Sequence, residues 1–146
     1  MTAEAAARGR SNRNRGARAE VQVVNYLRDQ GWPDTRRYLA GDGRQPGDLD
    51  WHPLVCLEVK DVTNTAWPSW ARQADRQAGA GMIPAVVRRS RGVPDVGAWK
   101  CRVGSPQTLE LVGRFVPIPG LPELWVETSF AAFVAAVRRI DQDGVA

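Results

Sequence analysis

The segment GDLDWHPLVCLEVKDV, residues 47–62, decides the fold because it combines a strand-like apolar pattern with charged side chains. It predicts two short strands in a hairpin that turns near Trp51-His52-Pro53. Side chains alternate between the two faces of a strand. One face of the second strand is apolar and carries Val55, Leu57 and Val59. The opposite face carries Cys56, Glu58 and Lys60, which places two charges in a strand apolar enough to be central in a sheet.

Length and composition indicate one globular domain. The chain has 146 residues, of which 43% are hydrophobic and 25% charged. No apolar run approaches the ~20 residues that span a bilayer, and the N-terminus has no signal-peptide core. We therefore expect no membrane association and a cytoplasmic location, in the host cytoplasm if the gene is carried by a phage. Cys56 and Cys101 are too few for a disulfide framework and lie in no metal-binding spacing.

Arginine dominates the basic residues, and its distribution indicates nucleic acid as the partner. The net charge is +4, and only Lys60 and Lys100 among the 20 basic residues are lysines. Arginine clusters are typical of a surface that binds a phosphate backbone. The predicted DNA contacts are Arg13, Arg15, Arg18, Arg36, Arg37 and Arg44. The alternative is a solvated tail in a chain that favours arginine.

The N-terminal pattern predicts a mobile basic arm over residues 1–16 and a helix from Ala17 to Gln30. Glu20 shares the helix face of the apolar residues Val23, Val24 and Leu27. Glu20 either takes part in a functional site or merely interacts favourably with the helix macrodipole.

The remaining pattern alternates strands and helices. A short strand lies in DTRRYLAGDGRQPGD, a helix covers residues 69–79, and MIPAVVRR is a buried strand. GAWKCRV and TLELV are further strands, and Thr128 or Ser129 caps a final amphipathic helix in FAAFVAAVRRI. We therefore predict an α/β fold with a central mixed sheet flanked by helices, over a single domain of residues 17–146. His52, the only histidine, is expected to be structural because it lies in a turn.

Asp48 and Glu58 are predicted metal ligands because the hairpin brings their carboxylates together. Mg²⁺ prefers oxygen ligands and retains several waters, so two carboxylates and the Val59 carbonyl suffice, with Mn²⁺ as an alternative ion. Glu20 is a further candidate ligand. Lys60 can orient or deprotonate the attacking water, or stabilise charge on the phosphate. The alternative is a strand face of ordinary ion pairs, Glu58 with Lys60 and Asp48 with an arginine.

With GDLD followed by LEVK, the chain resembles the PD-(D/E)XK nucleases. RGARAEVQVVNYLRDQGW, PGDLDW, CLEVKDV, Gln73 and IPAVVRR more narrowly resemble Holliday junction resolvases of the archaeal type, also found in phages. The similarity extends from about Gly16 to about Arg89. It departs from the family at Gly47, which replaces a proline, and in the loop Ala40-Gly41-Asp42-Gly43, which lacks a serine.

The resemblance implies a restriction-endonuclease-like core and a function in DNA recombination and repair. The implied catalytic residues are Glu20, Asp48, Glu58, Lys60 and Gln73. The implied activity is that of a homodimeric Mg²⁺-dependent endodeoxyribonuclease, which nicks opposing strands of a four-way junction. A related exonuclease, nickase or restriction-type enzyme, and a catalytically inactive DNA-binding protein of the same fold, are the alternatives.

Overall fold

A computed structural model describes residues 2–38 and 45–143 of the chain. Its helices are α1 (Ala3–Asp29), α2 (Trp67–Gln77) and α3 (Phe130–Gln142). Its strands are β1 (Arg36–Arg37), β2 (Leu49–Asp50), β3 (Val55–Lys60), β4 (Ile83–Arg88), β5 (Lys100–Gly104), β6 (Arg114–Phe115) and β7 (Trp125–Ser129). Two short 3₁₀ helices span Val96–Ala98 and Pro106–Leu109. Within the described part of the chain, no helix has the length and apolar character to cross a membrane.

Helix α1 begins at Ala3 rather than at the predicted Ala17. Residues 3–16, predicted to be an arm outside the helix, are therefore helical. Alanine and arginine are both strong helix formers, and the Thr2 hydroxyl caps the helix by accepting a hydrogen bond from the Ala5 N–H at 3.2 Å. The buried residues of α1 all lie in its C-terminal half, at Ala19, Val23, Val24 and Leu27. Only that half packs against the domain.

The main sheet has five strands in the order β3-β4-β5-β7-β6. Strands β3 and β4 are parallel, and every other neighbouring pair is antiparallel. The predicted α/β fold with a mixed central sheet is thus confirmed. The predicted hairpin ladder is wrong, because β2 pairs with β1 in a separate two-stranded sheet. Asp48 nevertheless approaches β3, through a hydrogen bond from its backbone N–H to the Leu57 carbonyl at 2.8 Å.

The two faces of the main sheet are covered by different helices. Val55, Leu57 and Val59 of β3 belong to one buried cluster with apolar side chains of α1 and α3. The opposite face lies under α2, where Trp70 and Ala74 pack on Val86 of β4. The alternation predicted for residues 55–60 therefore holds, and Glu58 and Lys60 lie on the α2 side.

The C-terminal part differs from the prediction at several points. TLELV is not a strand, because Thr108 and Leu109 belong to the second 3₁₀ helix and Glu110 has a left-handed φ of 51°. Strands β6 and β7 were not predicted. The final helix is confirmed, with the Ser129 hydroxyl accepting a hydrogen bond from the Ala132 N–H at 3.1 Å. His52 lies 2.9 Å from Asp141 of this helix through its Nε2, which fits the structural role expected of it.

Candidate active site

Asp48 is anchored to the outer edge of β3 by two hydrogen bonds. Its backbone N–H donates to the Leu57 carbonyl at 2.8 Å. Its Oδ2 accepts a hydrogen bond from the Val59 backbone N–H at 2.7 Å. Since β3 is the outermost strand of the main sheet, this edge is open to a non-strand segment. The backbone itself therefore fixes the Asp48 carboxylate beside β3.

Gly47 makes the approach of Asp48 possible. Its φ is +78°, and a Cβ atom at this position would lie 2.5 Å from the Leu57 carbonyl oxygen. Its N–H donates to the Gln77 Oε1 at 3.0 Å. Proline has a φ near −65° and no N–H. A proline at position 47, as in the nucleases that the sequence resembles, would therefore not fit this backbone. The glycine is thus required by the local structure.

Glu58 is a buried acid, with 1% of its surface exposed. Its pKa is raised from 4.5 to about 8, first by burial and then by the neighbouring Asp48, while Lys60 acts in the opposite direction. Its Oε1 is buried without a hydrogen-bond partner in the described part of the chain. Asp48 and Glu58 are close enough to interact through their side chains. Two adjacent carboxylates, one with an unpartnered oxygen, form a site that suits a cation.

The Val59 carbonyl lies on the same edge of β3 as Asp48. Carbonyls alternate between the two edges of a strand. Those of Leu54 and Lys60 face β4, where they accept hydrogen bonds from the N–H groups of Ile83 and Arg89. The carbonyls of Leu57 and Val59 therefore point the other way, toward Asp48. This placement fits the predicted ligand role of Val59.

Lys60 has two side-chain neighbours that orient its ammonium group. Its Nζ donates a hydrogen bond to the Gln73 Oε1 at 3.0 Å and lies 3.7 Å from the Glu58 Oε2. Gln73 comes from α2, so this helix positions the lysine. The Lys60 side chain is one-fifth exposed, so it is not sealed from solvent. Lys60 thus contacts both Glu58 and Gln73, two of the other predicted site residues.

Glu20 lies near these residues but is bound to another partner. The Arg37 Nε donates a hydrogen bond to its Oε2 at 2.5 Å. Burial raises the pKa of Glu20, Arg37 lowers it, and the charge of Asp48 adds to the increase. Among residues 2–38 and 45–143, no three His, Cys, Asp or Glu side chains form a group that could hold a metal ion. The structure therefore does not join Glu20 to Asp48 and Glu58 as a third ligand.

The predicted DNA-contact arginines have different environments. Arg13 and Arg18 are exposed on α1, whereas Arg15 is half-buried and bonds to Asn12 of the same helix. The two arginines of β1 are paired, Arg36 with Asp50 at 3.1 Å and Arg37 with Glu20. Arg44 and the loop 40–43 lie outside the described residues. Among the predicted DNA contacts that the structure describes, Arg13 and Arg18 are thus the exposed arginines outside an ion pair.

Two features beside the site were not predicted. The Gln77 side chain accepts a hydrogen bond from the Gly47 N–H. The one sequence signal for Gln77 is its i, i+3 and i+7 spacing with Trp70 and Gln73 on one face of a helix. Asp61 is buried and pairs with the Arg89 guanidinium at 3.0 Å. Alternation along β3 extends to Asp61 on the core side, and a buried carboxylate there needs a charged partner. That requirement could have predicted the pair.

Comparison with known proteins adds no relative. The chain significantly matches no family model, no curated protein and no solved structure.

Proposed function

We propose that this protein is a metal-dependent DNA endonuclease that hydrolyses phosphodiester bonds. The observation that carries the proposal is the contact between Asp48 and Glu58 at the edge of β3, with Lys60 beside them. A structural ion pair needs only one carboxylate for one lysine. The second carboxylate and the unpartnered Glu58 Oε1 favour an additional cation.

Mg²⁺ or Mn²⁺ is the proposed ion, held by the Asp48 and Glu58 carboxylates and the Val59 carbonyl. When bound, such an ion lowers the pKa of water and offsets the charge that develops on a phosphate. The Asp48 Oδ2 is already fixed by the Val59 N–H, so the ligand geometry is largely set before an ion arrives. Glu20 remains a candidate further ligand, which it can become by leaving Arg37.

Lys60 is the proposed catalytic lysine and Gln73 its positioning residue. The Gln73 Oε1 accepts a hydrogen bond from the ammonium, which directs the remaining donors toward the site. From this position the ammonium can orient the attacking water or stabilise the charge that develops on the phosphate. The buried Glu58 carboxylate keeps the Lys60 side chain on the same face.

The proposed substrate is branched DNA, most specifically the four-way junction. The exposed arginines of α1 support DNA as the partner, because they present positive charge on a helix that projects beyond its packed half. The choice of junction and the homodimer that would nick opposing strands rest on the resemblance to Holliday junction resolvases. A related nuclease of other specificity, and an inactive DNA-binding protein, are the alternatives.

One experiment separates these possibilities. The protein is incubated with end-labelled four-way junction, linear duplex, flap and single-stranded DNA, each with Mg²⁺ or with EDTA. Paired nicks in opposing strands of the junction alone, only with Mg²⁺, are the expected result. Cleavage of another substrate would identify a related nuclease. Binding without cleavage would support the inactive DNA-binding protein and contradict the proposed activity.

A further inference from the structure

Three cations form a row across the main sheet that begins at the candidate site. In the strand register, Lys60 of β3 is opposite Arg88 of β4, and Arg88 is opposite Lys100 of β5. Side chains directly opposite each other share one face of a sheet. The row therefore lies on the α2 side, the face that carries Glu58. We call these three residues the cationic row.

The cationic row has too little negative charge near it to be a structural network. Like charges in directly opposite positions destabilise a sheet. Among the described residues, Lys60 alone of the three forms a salt bridge, which joins it to Glu58. Within residues 2–38 and 45–143, Arg88 donates only to the carbonyls of Val62 and Thr63, at 3.3 Å and 3.4 Å, and its buried Nε has no partner. An external anion would relieve this repulsion.

The loop that follows β3 supports the row on one side. Arg88 holds Val62 and Thr63 through their carbonyls, and Arg91 donates to the Thr63 hydroxyl at 3.2 Å. The two carbonyl contacts hold the guanidinium of Arg88 beside the loop that follows β3. Lys100 is exposed at the far end of the row. Exposure thus increases along the row, from a Lys60 side chain that is one-fifth exposed, through a partly buried Arg88, to an exposed Lys100.

We propose that the cationic row binds consecutive phosphates of the DNA strand that is cut, on one side of the reacting phosphodiester. This inference rests on the proposed function, because it takes Lys60 as the point of cleavage. It adds the direction of the bound DNA to that function. The DNA strand runs from β3 across β4 to β5, rather than along β3 toward the N-terminal end of β3.

The size of the row sets the length of strand it covers. Neighbouring strands lie about 4.8 Å apart, so Lys60 and Lys100 are separated by roughly 10 Å at the backbone, and one DNA strand has a charge about every 3.4 Å of helix axis. Because the path along the DNA strand is longer than its rise along the axis, Lys100 lies opposite a phosphate within about three nucleotides of the cut.

The first test measures how the affinity for DNA depends on salt. Lys100→Ala and the matched control Arg139→Ala each remove one exposed positive charge, and Arg139 lies on α3, on the opposite face of the sheet. Binding of a labelled four-way junction is measured in EDTA at several NaCl concentrations. Lys100→Ala should reduce the slope of log K against log salt by about 0.9, and Arg139→Ala should leave it unchanged. Equal effects of the two variants, or none, would overturn the proposal.

The second test locates the phosphate. Junctions with a single neutral methylphosphonate are prepared, at each position up to four nucleotides from the cut on either side. One position within about three nucleotides of the cut should weaken wild-type binding but not weaken Lys100→Ala further, because both changes remove the same contact. Additive losses at every position would refute the row. If the wild-type protein cuts the junction and Lys100→Ala binds it normally, the role of the cationic row is wrong but the proposed function stands. If the wild-type protein neither binds nor cuts DNA, the proposed function fails as well.

Discussion

The Asp48 carboxylate accepts a hydrogen bond from the backbone N–H of Val59 at 2.7 Å, and Val59 is the residue between Glu58 and Lys60. One carboxylate oxygen is thereby fixed relative to both charged side chains of β3. Because the donor is backbone, this arrangement does not depend on a side-chain rotamer. The residues proposed to bind metal and to act on the phosphate are therefore held by a single rigid strand.

Removing either carboxylate should abolish cleavage. Asp48→Asn and Glu58→Gln preserve the shape of the side chains but remove the negative charge that a hard cation requires. We expect Mg²⁺-dependent cutting of a four-way junction to be lost, while junction binding and the folded state persist. Gel assays of binding and cleavage, with circular dichroism for folding, provide the measurement. Undiminished activity in EDTA would contradict a metal mechanism.

Lys60→Arg should cut far more slowly although it keeps the positive charge. The planar guanidinium does not reproduce the point charge that Gln73 orients, and it does not readily release a proton. We expect a reduction on the order of a hundredfold or more in single-turnover rate, with a near-native melting temperature. Arg139→Lys, on a distant helix, is the control for basic-residue exchange. A rate within a few-fold of wild type would reduce Lys60 to an ion-pair role.

Gly47→Ala should destabilise the protein and displace Asp48. Its matched control is Gly81→Ala, because Gly81 has a similar φ of +80° but no atom within 4 Å of the added Cβ. The control should lose about 1–3 kcal/mol from backbone strain alone. Gly47→Ala should lose more, because its Cβ would lie 2.5 Å from the Leu57 oxygen. Urea denaturation measures both, and equal losses would show that the close contact is relieved without cost.

The metal-free protein should become less stable as pH rises. The pKa of Glu58 is raised from 4.5 to about 8, so the folded state holds this proton more tightly than the unfolded state does. Its contribution to stability is full below pH 4.5 and is lost as pH rises through about 8. Melting temperatures in EDTA across this range should fall for wild type more than for Glu58→Gln. Parallel profiles would assign the pH dependence to other groups.

Neutralising the basic half of α1 should weaken DNA binding without removing the helix. Replacing Arg8, Arg10, Arg13 and Arg15 with alanine preserves helix propensity. The salt slope of junction binding should fall by up to about 0.9 per lost phosphate contact. Deletion of residues 1–15 should give the same slope if charge is responsible. A slope unchanged in both variants would show that this half of α1 does not contact DNA.

Short-range patterns predicted the strand β3 and its two faces, because alternation is a local property of the chain. They did not predict that Asp48 reaches β3 from beside a separate small sheet. A hairpin ladder and an edge contact both bring Asp48 close to β3, so the sequence pattern does not distinguish them. The N-terminal half of α1 was missed because it buries little surface and has no apolar period, although alanine and arginine favour a helix. The pairing of Glu20 with Arg37 depends on the chain path between α1 and β1, which no local pattern encodes.

Under the proposed function, the single helix α1 would join a DNA-binding segment to the candidate active site over a fixed length. Arg8 and Glu20 lie twelve residues apart on it, which corresponds to about 18 Å at 1.5 Å per residue, or about five base pairs of duplex. If the proposed function is correct, this length sets the distance between the arginines that bind DNA and the end of α1 beside the candidate site. Its pitch matters as well as its length: one residue inserted near Gly16 would turn the arginines by about 100° relative to Glu20, whereas four would nearly restore their phase.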